Sequence, residues 1–398
     1  MAFRSGRHFL QIPGPTNVPD RILRAIAQPT IDHRSEEFAT LTRELLSGLR
    51  WVFKSSGPVI VYPSSATGAW EAAFVNTFSP GDKVLAFEIG EFARLWADMA
   101  KKLGLDVEVV DTDWRHGVDP AIVEEKLTAD REHQIKAVLV VHNETSTGAT
   151  SRLPEIRQAI DRAKHPALYF VDAVSSLGSI DLRQDEWGID VTVAGSQKGL
   201  MLPPGMSFNA ISAKALEASK KAALTKVYWS WGPMLQFNAQ GFFTYTPSTN
   251  LLYGLREALH MLREEGLDNV FARHNRLAEA TRRAVKAWGL ENLNKNQNQL
   301  SPTITAVMTP EGHDADKFRA LALEHFNISY GASFGPYAGK YFRIGHLGDI
   351  NDGTLIGALG ITEMALALAG IPHKKGGVQA AMDYITSAHA GEKRAAAE

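Results

Sequence analysis

Lys198 stands in Gly195-Ser196-Gln197-Lys198, directly after a run from Asp190 to Ala194 that reads as a buried strand. An amine there is costly to desolvate unless its charge is used or lost. An imine with an aldehyde cofactor does both. Asp172 closes the apolar run Leu168 to Val171. A carboxylate at that strand end suits a protonated ring nitrogen and keeps such a ring electron-poor. The stretch Pro63-Ser64-Ser65-Ala66-Thr67-Gly68 follows Val59 to Tyr62 and opens a helix. Small residues let backbone approach a ligand, and a helix N-terminus favours an anion, although the Walker spacing is absent. The run His142-Asn143-Glu144-Thr145-Ser146-Thr147-Gly148 brings polar groups to another strand end. Arg343, flanked by aromatics in Tyr341-Phe342-Arg343-Ile344-Gly345-His346, offers a planar fork for a substrate carboxylate.

Each of these has a plainer reading when taken alone. Lys198 is also a surface lysine opening a helix, and Asp172 a helix N-cap. Pro63 to Gly68 is also a strand-to-helix turn, 142–148 a polar loop, and Arg343 an edge-strand residue with its head in water. The order of the motifs carries more than any one of them. Four follow apolar strands on one edge of one sheet, where ligand sites of open α/β sheets lie.

The elements that must hold these residues follow from the hydrophobic pattern. β-rich runs at 59–62, 84–87, 107–110, 137–141, 168–171 and 191–194 read as strands, and several are apolar throughout, as expected of strands buried on both faces. Between them lie amphipathic segments. Phe38, Leu41, Leu45, Leu49 and Val52 recur at helical spacing, as do Leu95, Met99 and Leu103. Alternating strands and helices predict a mostly parallel sheet with right-handed crossovers. After Asn250 the texture changes: two long helices, 251–265 and 267–288, then a polar loop at 292–301. A strand (303–308), a helix (314–325), a strand near 341–344 and a helix near 351–369 complete a smaller α+β region. The expected division is an N-terminal arm over 1–20, a large domain over 21–258 and a small one over 259–398. A chain of 398 residues is long enough for two cores.

Composition excludes several classes. Lys plus Arg number 42 against 44 Asp plus Glu, which supports no nucleic-acid surface. There is no cysteine, so disulfides, thiolate metal sites and cysteine nucleophiles are ruled out. No segment nears the ~20 apolar residues of a membrane span. Met1 to Gly14 has no apolar run of signal-peptide type. A cytoplasmic location and no metal are expected.

Together these residues resemble the class V aminotransferases of pyridoxal 5′-phosphate (PLP) fold-type I, near their serine–glyoxylate and alanine–glyoxylate members. The resemblance runs from Pro13-Gly14-Pro15-Thr16-Asn17-Val18-Pro19 to Arg343-Ile344-Gly345-His346-Leu347-Gly348. It is most specific at 171–178, at 195–200 and at Pro203-Pro204-Gly205. It implies a large domain with a seven-stranded, mostly parallel sheet flanked by helices, and a smaller C-terminal domain. It also implies that Lys198 binds the cofactor covalently and that Asp172 pairs with its ring nitrogen. Ser65, Ala66, Thr67 and Gln197 match the phosphate site, Ser146 a residue near the ring hydroxyl, and Arg343 the substrate carboxylate clamp. Phe92 aligns where many members stack a Trp on the ring, and Thr67 where some alanine–glyoxylate enzymes carry His. In the family a neighbouring subunit completes the phosphate site, and Thr246 in Tyr245-Thr246-Pro247-Ser248 matches that segment. The resemblance thus implies a homodimer with shared active sites. The expected reaction moves an amino group from a small amino acid, preferably serine, to the oxo acid glyoxylate. Alanine, ureidoglycine and aminoethylphosphonate are the alternative donors. A silent scaffold of the same fold is disfavoured, because Lys198, Asp172 and Arg343 are each costly to bury without use.

Overall fold

The computed structural model describes residues 6–395, with side chains through 391. Met1 to Ser5 of the expected arm, and Ala396 to Glu398, lie outside the described residues. The frame of the large region is a seven-stranded sheet. Its strands are β1 (Val59–Tyr62), β2 (Lys83–Glu88), β3 (Asp106–Asp111), β4 (Ile135–Val141), β5 (Leu168–Asp172), β6 (Val191–Gly195) and β7 (Ser207–Ile211). Their order is β1-β7-β6-β5-β4-β2-β3. Neighbours from β6 to β3 pair in parallel. β7 runs antiparallel to both β6 and β1. Every residue of β1, β5, β6 and β7 is buried, as a sheet covered by helices on both faces requires. The edge strand β3 instead carries Asp106, Glu108 and Asp111, charges that discourage pairing with another sheet.

Six of these strands coincide with the β-rich runs of the sequence. β7 does not show there, because Ser207 and Asn209 interrupt its pattern. Both are buried with partners: Ser207 Oγ lies 2.8 Å from Ser64 Oγ. Asn209 accepts from the Tyr62 hydroxyl at 2.9 Å and donates to the Ala69 carbonyl at 3.1 Å. The helix Glu36–Phe53 buries Phe38, Leu41, Leu45, Leu49 and Val52 as expected, and Ser35 caps it by accepting from Phe38 N–H. The helix Glu91–Lys102 is present, but its buried face is not Leu95, Met99 and Leu103. Ala93, Trp96, Ala97 and Ala100 pack inward, while Leu95 is exposed. Trp96 is the larger apolar group and three alanines let its helix sit close to the sheet, so packing overrides the leucine stripe.

The C-terminal region has an antiparallel sheet of Glu291–Asn292, Ile304–Met308 and Tyr341–Gly345. Helices Leu267–Trp288, Ala315–Phe326, Asp352–Leu368 and Gly377–Ala395 supply its remaining elements. The last of these was not legible as a separate element in the sequence. The core around the large sheet includes Leu259 and Leu262 and reaches Val270, and the second core starts at Leu277. The division expected at 258/259 therefore falls inside the helix Thr249–Glu265. The N-terminal arm joins the two regions: Phe9–Gln11 pairs in parallel with Ile328–Tyr330, and Thr16 N–H donates to the Gln197 carbonyl at 3.1 Å. No helix among the described residues is long and apolar enough to cross a membrane.

Phe170 of β5 is wholly buried between Phe74 and Phe78, with ring centroids 6.2 and 5.4 Å away. Phe170→Ala is expected to cost about 3–5 kcal/mol, read as a fall in the urea midpoint of unfolding.

Candidate active site

The carboxyl ends of β1, β4, β5 and β6 open on one cavity of about 260 Å³. Ser65, Ala66, Thr67, Phe92, Asp172, Gln197 and Lys198 line it, with Gly14, Trp70, Asn143 and Thr145. Seven of the residues singled out in the sequence thus meet in one place.

One end of the cavity is built for an anion. The helix Ala66–Thr77 starts at Ser65, whose backbone is extended and whose side chain makes no cap. The amides of Ala66 and Thr67, at the first turn, make no hydrogen bond among the described residues. Such unpaired amides at a helix N-terminus attract negative charge. Gln197 lines the cavity beside them, and its side-chain N–H groups are the donors it can turn to an anion.

At the floor lies Asp172, 4% exposed. Its Oδ2 accepts from the Trp70 indole N–H at 2.7 Å and its Oδ1 from Val174 N–H at 2.8 Å. Burial pushes its carboxyl up to about 7, with Glu144 adding to the shift; the two hydrogen bonds and Lys198 pull the other way. No helix follows Asp172, so it is not an N-cap; it instead pins the turn that leaves β5.

Lys198 is 7% exposed. Its Nζ donates to the Pro13 carbonyl, a neutral partner supplied by the N-terminal arm. Burial, then the charge of Arg343, lowers its ammonium to about 7, against the pull of Asp172 and Glu144. Gly14 touches the same side chain. Its φ is +100°, and a Cβ there would fall 2.3 Å from Lys198 Cδ, so only glycine fits both the backbone and the space.

Arg343 lies just outside the cavity lining but within electrostatic reach of Lys198. It is 7% exposed. Its Nε donates to the Ala332 carbonyl at 2.7 Å and Nη1 to the Thr145 carbonyl at 2.8 Å. The Phe334 ring faces it at 5.0 Å. It makes no ion pair with an acid, and Nη2 has no hydrogen-bond partner among the described residues. Burial brings it down to about 10.

Ser146 and Thr246 are placed elsewhere. Ser146 is fully buried outside the cavity lining. Its hydroxyl donates to Glu144 Oε1 at 2.7 Å and accepts from Glu91 N–H at 2.9 Å. Thr145 and Asn143 are the members of that loop that line the cavity. Thr246 lies in a surface groove with Phe237, Phe243 and Tyr245. Phe92, half-buried, meets Phe334 edge-on at 6.1 Å.

Three contributors were not legible as site residues in the sequence. Trp70 hydrogen-bonds a carboxylate 102 positions away, and no local pattern signals that. Glu144 holds together the start of the helix Glu91–Lys102 and the 142–148 loop. It accepts from Ala93 N–H at 3.0 Å and from Ser146 N–H and Oγ at 2.9 and 2.7 Å. Gly14 belongs to an arm whose Pro-Gly-Pro run was the signal available. Among the described residues there is no cluster of three or more His, Asp or Glu able to hold a metal ion.

A model of the class-V aminotransferase family matches residues 8–343 of the chain. The chain belongs to that family. A serine–glyoxylate aminotransferase of Methylorubrum extorquens is 49% identical over 96% of this chain and 97% of its own. An L-aspartate–glyoxylate aminotransferase of Paracoccus denitrificans is 45% identical, covering 97% and 98%. The crystal structure of ureidoglycine–glyoxylate aminotransferase from Bacillus subtilis superposes with a TM-score of 0.88 at 27% identity, covering 97% of this chain and all of the other. The protein is thus an aminotransferase, and its mostly parallel seven-stranded sheet with a smaller α+β region is the fold-type I arrangement.

The aminotransferase's buried lysine has a stability signature. Lys198 holds its proton less tightly folded, at about 7, than unfolded, at about 10.4. The unfolded chain binds more protons between these values, so stability rises with pH through that window. Lys198→Met is expected to stabilise the ligand-free protein by about 0.5–2 kcal/mol at pH 7. The gain should shrink toward pH 10 when melting temperatures of the two proteins are compared.

Proposed function

We propose that the aminotransferase holds PLP in this cavity and moves an amino group from a small uncharged amino acid, serine foremost, to glyoxylate. The observation that carries this reading is that Lys198, buried in the cavity lining, and Arg343, buried just beside it, are both held by neutral carbonyls and neither is ion-paired to an acid among the described residues. Each is left available for a ligand group of its own.

The residues present fit the cofactor. Ser65, Ala66, Thr67 and Gln197 would hold its phosphate, through two helix amides that lack partners and the Gln197 side-chain N–H groups. Asp172 would face its ring nitrogen, Phe92 its ring and Lys198 its aldehyde carbon. When bound, PLP supplies an electron sink for the charge left on the substrate α-carbon. The chain's own groups do the rest. Arg343 binds the amino acid by its carboxylate in a fixed orientation. Lys198 Nζ, brought to about 7 by burial, is neutral often enough at physiological pH to take the α-proton as general base and return it later. Asp172 keeps a negative charge opposite the ring nitrogen.

The lining also bears on the donor. Among the described residues no cation other than Lys198 lines the cavity. With Arg343, beside the lining, given to the α-carboxylate, no further cation of the lining is left for a side-chain carboxylate, which favours serine over aspartate. The relatives named above differ in donor but share glyoxylate in their names, which supports it as the acceptor. We also infer a homodimer. Val227, Tyr228 and Phe237 are exposed at 86%, 48% and 45%, and Thr246 lies near Phe237 in the surface groove. A second copy covering this face would enclose Thr246, the residue that matches the family's segment from the neighbouring subunit.

Lys198→Ala is expected to abolish serine–glyoxylate turnover and the visible absorption of the cofactor-loaded enzyme. Normal half-reaction rates in that variant would sink the proposal. Arg343→Ala is expected to lower kcat/KM for serine by roughly 30-fold or more, in an assay that also tests alanine and aspartate. Light scattering should give about twice the chain mass of 43.6 kDa.

A further inference from the structure

We propose that Trp70 is a positioning residue of this site: its indole N–H clamps Asp172 so that the carboxylate stays oriented and charged against the cavity. The clamp is a property of this chain's own side chains; only its consequence for turnover rests on the transaminase reading.

Trp70 Nε1 donates to Asp172 Oδ2 at 2.7 Å, and Val174 N–H to Oδ1 at 2.8 Å. Each carboxylate oxygen thus has one donor from the protein. Both side chains are at least nine-tenths buried, where a hydrogen bond to a charged group is worth most and its loss costs most. The indole is held in place: it stacks on Trp96 at 6.0 Å and 23°, and Trp96 stacks in turn on Phe74 at 5.8 Å. A large apolar side chain would fill the same space without donating. The charged groups that face Asp172 are Glu144, from the loop after β4, and Lys198, after β6. His142 N–H donates to the Asp172 backbone carbonyl at 2.9 Å, and burial keeps that imidazole neutral, down at about 4. Against burial and Glu144, the indole and the Val174 amide are the hydrogen bonds that favour the charged form.

Position adds a second role. Trp70 follows Ala66 by four residues on the helix Ala66–Thr77, about one turn and about 6 Å along the axis. One rigid helix therefore presents the anion-binding amides and, a turn later, the donor that fixes Asp172. It sets the spacing between the two ends of the site.

The test is a double-mutant cycle on the ligand-free protein. At pH 5 Asp172 is protonated and at pH 8 it is ionised, since burial holds it near 7. Trp70→Phe should therefore cost more stability at pH 8, its effect on the unfolding constant growing roughly tenfold between the two pH values. In the Asp172→Asn background that growth should vanish. An equal cost at both pH values, or growth that persists in Asp172→Asn, would overturn the clamp. If Trp70→Phe does not fold, benzothienylalanine at position 70 keeps the shape and removes only the donor. In the loaded enzyme, Trp70→Phe should move the acid limb of kcat/KM to higher pH by about one unit. A cycle with the expected pH dependence but an unmoved acid limb would support the clamp and count instead against the part given to Asp172 in turnover.

Discussion

Desolvation of three ionisable groups is the constraint around which the structure is arranged. An amine and a carboxylate line one cavity and a guanidinium lies just beside it, none more than 7% exposed, and none is matched with its opposite in a direct ion pair among the described residues. Burial of this kind costs several kcal/mol per ion unless dipoles or hydrogen bonds replace water. The chain meets the cost with neutral donors and acceptors: the Pro13 carbonyl for Lys198, the carbonyls of Ala332 and Thr145 for Arg343, and the Trp70 indole with the Val174 amide for Asp172. A neutral partner lowers the penalty without cancelling the charge. Burial draws Lys198 down and Asp172 up toward neutral pH, and no direct ion pair between them cancels it.

The parallel sheet makes this arrangement possible. Its strands deliver their carboxyl ends to one edge, and each following turn exposes backbone groups that a packed strand would have consumed. β1 leads into the helix whose first amides are unpaired, β5 ends on Asp172, and β6 runs on into Gln197 and Lys198. Opposite them, the N-terminal arm closes over Lys198 with Pro13 and Gly14. Close approach of that arm depends on the missing Cβ of Gly14, which turns one glycine into a packing requirement of the site.

The sequence made the large sheet and the chemistry legible to different degrees. Five strands announced themselves by apolar runs and the edge strand β3 by its valines alone, and Asp172 and Lys198 could be placed because each ends or closely follows such a run. β7 stayed hidden because the hydrogen bonds that allow Ser207 and Asn209 inside the sheet come from Ser64, Tyr62 and Ala69, far away in sequence. The buried face of the helix Glu91–Lys102 was misread for a related reason: Leu95 fits the helical period, yet Trp96 and three alanines make the better contact with the sheet. Trp70 and Glu144 were equally illegible as contributors. Their partners are fixed by tertiary packing, and neither a tryptophan in a helix nor an acid in a polar loop has a local pattern that marks it.

Arg343 shows how the two cores share the site. Every other cavity group of the large region is positioned by the seven-stranded sheet or the arm. Arg343 comes from the C-terminal sheet, and its guanidinium is held by one carbonyl from each side, Thr145 of the large region and Ala332 of the small one. Tyr341, two residues earlier on the same strand, donates its hydroxyl to the Ser146 carbonyl at 2.7 Å. Glu144 then ties that loop to the start of the helix that carries Phe92. The position of a carboxylate relative to Lys198 is therefore set by the contact between the cores and not by either core alone. Backbone carbonyls suit this task better than acids would. They fix the fork with directional hydrogen bonds while leaving its positive charge for the ligand, whereas an acidic partner would compete with the carboxylate the fork is placed to bind.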